Sequence, residues 1–78
     1  MNRQARKYYK KIYHMFPSHT RIERAYLKQL KQFIITHSQR FPEDCYDNYV
    51  EKIGEPQDII LSYYEKLGNQ YVISQMKI

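Results

Sequence analysis

The chain has 78 residues and a single cysteine, Cys45, which allows one domain with a thin core and no internal disulfide. Its 42% hydrophobic content suits a folded domain rather than a disordered one, and no run of about 18 apolar residues is present to span a membrane. The charged N-terminus does not read as a signal peptide, so the expected location is cytoplasmic. The net charge of +5 is unevenly divided. Residues 1–40 carry ten basic side chains (Arg3, Arg6, Lys7, Lys10, Lys11, Arg21, Arg24, Lys28, Lys31, Arg40) against one acid, Glu23, a net +9. Residues 41–78 carry three (Lys52, Lys66, Lys77) against seven (Glu43, Asp44, Asp47, Glu51, Glu55, Asp58, Glu65), a net −4. Such asymmetry favours packing of the two halves and leaves a positive face for an anionic partner.

In chain order, Tyr8, Tyr9, Ile12, Tyr13 and Phe16 fall on one face of a helix predicted over about 4–15, with basic residues opposite and Pro17 as its stop. Thr20 and Glu23 have the spacing of a capping box that opens a second helix, about 20–37, with Ile22, Tyr26, Leu30, Phe33, Ile34 and His37 along one side. After Pro42, Tyr46, Tyr49, Val50 and Ile53 mark a third helix, about 43–53, capped by Asp44 or Cys45 and ended by Gly54. Pro56 opens a fourth, about 56–67, carrying Ile59, Ile60, Tyr63, Tyr64 and Leu67, with Gly68 as its stop. The prediction is an all-α, compact bundle of four short helices with the second as its spine. Its expected core is Ile12, Phe16, Ile22, Tyr26, Leu30, Ile34, Tyr49, Val50, Ile53, Ile59, Ile60, Tyr63 and Leu67. The domain would span residues 1–68, with 69–78 as a tail.

No catalytic, cofactor-binding or metal-binding pattern stands out. His14, His19 and His37 share no metal-ligand spacing with Cys45 or with each other. Cys45 has no histidine or second cysteine beside it to activate the thiol, which suits a buried or capping role. His37 suits a hydrogen-bonded core position, and His14 and His19 a solvated turn. An enzyme is not expected, nor is any cofactor.

Two patterns have functional alternatives. The helix–Gly-x-Pro–helix unit Tyr46–Leu67 has the outline of a helix-turn-helix, but Asp58 and Glu65 on its second helix would oppose phosphates. The first helix sets Arg3, Arg6, Lys7, Lys10 and Lys11 among tyrosines. These five residues are the candidate contact with an anionic surface, either a lipid headgroup layer or a nucleic acid. The plainer alternative is a helix with its tyrosines in the core and its lysines in water. Gly54 and Pro56 are the candidate structural turn.

The stretch Tyr46–Tyr64, with Tyr49, Val50, Glu51, Lys52, Ile53, Gly54, Pro56, Gln57, Asp58, Ile59, Tyr63 and Tyr64 at the motif positions, is similar to the C-terminal part of HAAS-type signalling domains. The basic first helix, the proline turn and the stripe Leu27, Leu30 and Ile34 look alike too, so the resemblance covers about residues 5–67. Two positions depart from the family pattern: Cys45 stands at a cap that is often threonine, and Ile60 at a usually small residue. The resemblance implies a non-enzymatic regulatory or interaction domain, the cytoplasmic signalling head of a bacterial membrane protein, lying at the inner face of the cell membrane. On that expectation the tail would lead into a transmembrane segment beyond Ile78. The expected partners are an unidentified protein, an anionic membrane surface, and a second copy in a homo-oligomer. The competing function is a small soluble nucleic-acid-binding protein using the first helix.

Overall fold

The computed structural model describes residues 2–76, with side chains through Leu67. Four helices follow one another: α1 (Arg3–Met15), α2 (Arg21–Arg40), α3 (Tyr46–Lys52) and α4 (Pro56–Met76). No strand occurs among the described residues. The all-α bundle is therefore as predicted, with two ends moved and the centre of the packing changed.

α1 starts where the Asn2 side chain accepts the Ala5 amide at 2.8 Å, and it stops at Phe16, which is extended ahead of Pro17. α2 runs three residues beyond its predicted end. Pro42 sets the stop, forcing Phe41 out of helical geometry at φ −130°, while the Phe41 amide still reaches the His37 carbonyl at 2.9 Å. α3 begins later than predicted because Asp44 is drawn away to His37 and Lys52, at 2.9 and 2.8 Å, leaving Cys45 as the cap. The exposed Cys45 donates both its backbone N–H and its thiol to Asn48 Oδ1, at 3.0 and 3.1 Å. His37 fits its predicted role, hydrogen-bonded to Asp44 with its ring 5.0 Å from that of Tyr49.

Gly68 does not end α4, which continues through it to Met76. A glycine inside a helix costs about 1 kcal/mol relative to alanine, and no proline follows to break the hydrogen-bond ladder. The predicted tail thus begins as helix, while its side chains and residues 77 and 78 lie outside the described residues.

α1, not α2, is the spine: it packs against α2, α3 and α4 in turn. Ala5, Tyr8, Ile12 and Phe16 supply its buried side, joined by Leu27, Ile34, Tyr49 and Ile60. Tyr26, Leu30, Val50, Ile53, Ile59 and Tyr63 are half-buried around them. Ile22 and Leu67, expected in the core, are 60% and 38% exposed. For Ile22 the reason is geometric. Residues spaced strictly by four advance about 40° per step around an α-helix, so Ile22 and Ile34 stand about 120° apart and cannot both face α1.

The Thr20–Glu23 pair is joined differently from a capping box. The Thr20 hydroxyl donates to the Glu23 carboxylate rather than accepting a backbone amide, and Ser18 and Tyr64 donate to the same group. Glu23, only 6% exposed, thereby ties the α1–α2 turn to α4. The Ser18 and Thr20 hydroxyls hold its carboxyl below the usual carboxylate range, and the Lys52 ammonium followed by His37 does so for Asp44. A carboxyl with a depressed folded-state pKa stabilises the fold above its unfolded pKa, and the contribution disappears as pH falls through the folded value. Stability should therefore drop below about pH 4. Glu23→Gln should weaken that pH dependence in thermal melts, and melts with the parent's pH dependence would rule Glu23 out as its source.

At the α3–α4 turn Gly54 has φ +140°, and its carbonyl accepts the Tyr8 hydroxyl. A Cβ there would lie 3.6 Å from Ile59 Cγ1, an ordinary contact, so the demand for glycine comes from the backbone. Gly54→Ala should cost about 1–3 kcal/mol of conformational strain, read as a lower urea midpoint. An unchanged midpoint would contradict it. Pro56 is buried at the first position of α4, where its missing N–H is not needed.

Candidate functional site

The buried side of α1 dictates where its charges go. With Ala5, Tyr8 and Ile12 against the other helices, Arg3, Arg6, Lys7, Lys10 and Lys11 all fall on the opposite side and are exposed. At 100° per residue they occupy an arc of about 140°. The structure thus brings all five predicted residues onto one face, though not into one environment. Lys7 and Lys11 lean toward α3, with their ammonium groups 5.4 and 5.7 Å from the Tyr46 ring centroid. Such cation–π contacts orient the charge without neutralising it. Arg3, Arg6, Lys7 and Lys10, with Gln4, line an open groove of about 470 Å³.

On its other flank the face extends further than the sequence suggested. Arg6, Tyr9 and Lys10 of α1 meet Lys31 and Ile35 of α2 across a groove of about 400 Å³, with Lys31 Nζ 5.7 Å from the Tyr9 ring centroid. Arg24 and Lys28 are exposed on the same side of α2. Their spacing with Lys31, i, i+4, i+7, was visible as a basic stripe. Its alignment with α1 depended on how α2 is rotated against α1.

The one acid of this half, Glu23, is buried and hydrogen-bonded, so no exposed carboxylate of α1 or α2 interrupts the positive surface. Among the described residues both ion pairs involve Asp44, and neither uses a cation of α1. The Gly54–Pro56 turn belongs elsewhere: Tyr8 holds it against the buried side of α1, away from the basic face. Of the other histidines, His19 is exposed and stacks on Tyr13 at 4.2 Å.

Among the described residues no three His, Cys, Asp or Glu side chains come together as a metal site, and no helix is long and apolar enough to cross a membrane. What the arrangement offers chemically is cation density: guanidinium and ammonium groups from two helices, with a half-buried tyrosine ring among them. In comparisons with known proteins, no curated protein and no solved structure matches the chain. Its whole length, residues 1–78, matches a family described as a family of unknown function (DUF6120), and the chain belongs to that family.

Proposed function

We propose that the chain is a non-enzymatic binding domain that lays the basic face of α1 and α2 on an anionic membrane surface, as the cytoplasmic head of a longer regulatory protein. The observation that carries this reading is the exposure of Arg3, Arg6, Lys7, Lys10 and Lys11 on one side of α1, continued by Lys31 on α2, with Glu23 withdrawn into the interior. The likeness of Tyr46–Tyr64 to HAAS-type domains supports the regulatory part. Each basic group near an anionic bilayer contributes about 1 kcal/mol. Five give about 5 kcal/mol at most, a dissociation constant in the range of hundreds of micromolar. That suffices to orient a tethered domain and is too weak to anchor a free one.

A second reading is favoured by one feature, the Tyr9 ring between Arg6, Lys10 and Lys31, which offers a base something to stack on beside its phosphates. One experiment separates the two: a salt titration of binding to phosphatidylserine-containing vesicles, neutral vesicles, duplex DNA and single-stranded RNA. The membrane reading expects weak binding to the anionic vesicles alone, fading toward physiological salt as the Debye length shortens to about 8 Å. Tight binding to RNA or DNA with none to vesicles would replace it with the second reading.

A further inference from the structure

The face of α2 away from the basic groove is apolar and bare. Ile22, Tyr26 and Phe33 fall within about 40° of one another around the helix axis, and Ile22 and Phe33 are 60% and 57% exposed. This stripe borders a groove of about 250 Å³ between α2 and α4, completed by Ser62, Tyr63, Lys66 and Leu67. The Tyr26 and Tyr63 rings, 4.6 Å apart, link its two walls. The stripe stays open because α3 and α4 pack chiefly on α1.

From this we infer that the α2/α4 groove is the interface for a second copy of the chain, in a closed two-fold dimer. Two further observations select that occupant. The chain exposes 6126 Å², about 1,000 Å² more than expected of a compact monomer of 9.6 kDa. A standard interface removes about 800 Å² from each partner, so the surplus is of the size a dimer needs. The charges also complement one another. α2 is basic at Arg21, Arg24 and Lys28, α4 is acidic at Asp58 and Glu65, and all five are exposed. A two-fold axis sets α2 of each copy toward α4 of the other, so that both contacts are attractive and the assembly closes at two. The groove lies on the far side of α2 from Lys31 and Tyr9, so the interface does not depend on what the basic face binds.

Sedimentation equilibrium of the full chain at about 100 µM, a concentration that populates an interface with a dissociation constant near 10 µM, tests this. The expected mass is twice 9.6 kDa. Ile22→Glu and Phe33→Glu, each at an exposed position, should return it to the single-chain mass with an unchanged far-UV circular dichroism spectrum. The inference is overturned by a parent of single-chain mass at that concentration, by a mass that climbs with concentration without levelling at two, or by a folded glutamate variant that remains dimeric.

Discussion

Tyr8→Ala is expected to unfold the domain. Tyr8 is fully buried on the helix that contacts all the others, so its ring fills space that no neighbouring side chain can close. Its ring stacks on Tyr49 at 5.5 Å and meets Tyr46 edge-on at 5.9 Å, joining α1 to α3. Its hydroxyl donates to the Gly54 carbonyl and pins the α3–α4 turn to the same point. Truncating a buried aromatic side chain to alanine costs about 3–5 kcal/mol. A domain of this length has roughly 4–12 kcal/mol in total, so the variant should be largely unfolded or melt far below the parent. Tyr8→Phe separates the two contributions: it keeps the ring and removes the hydrogen bond, for a loss of about 1 kcal/mol. Urea unfolding followed by circular dichroism checks both. A Tyr8→Ala variant as stable as the parent would mean that α1 is not the spine of the fold.

Arg6→Glu combined with Lys10→Glu is expected to abolish binding to anionic vesicles while leaving the fold intact. Both side chains are exposed, and both line the two grooves of the basic face. Removing two cations forfeits about 2 kcal/mol of attraction to an anionic bilayer, and the two new carboxylates add repulsion of similar size. The sum, about 4 kcal/mol, corresponds to roughly a thousandfold loss of affinity. Vesicle co-sedimentation at low salt measures it, with circular dichroism to confirm the helices. Binding that persists in the folded variant would remove the basic face from the account.

Much of the architecture was legible in the sequence, because proline and glycine act locally. Pro17, Pro42 and Pro56 each bound a helix through the geometry they impose on the chain beside them, whatever packs nearby. Gly54 likewise takes the positive φ that a tight turn between helices demands. Gly68 showed the limit of such punctuation, since a lone glycine lowers helix stability without forbidding the helix. Rotation about the helix axes was not legible. Whether Ile22 or Leu27 faces the core of α2 depends on a stripe that drifts with each turn, and only the packing of α1 against α2 decides it. The same rotation hid Lys31 from the candidate site. The five basic residues of α1, by contrast, could be placed on one face directly, because the apolar side of that helix was unambiguous.

The proposed contact is tested most directly by backbone amide NMR of the full chain during titration with phosphatidylserine-containing nanodiscs at low salt. The account predicts shift changes and line broadening concentrated at Arg3, Arg6, Lys7, Lys10 and Lys11 and around Arg24 to Lys31, reversed by added salt. Little should change along α3 or the first turns of α4, where the exposed charges Asp47, Glu51, Asp58 and Glu65 face away from an anionic surface. Perturbations centred on α3 and α4, or none at lipid concentrations well above the expected dissociation constant, would contradict it.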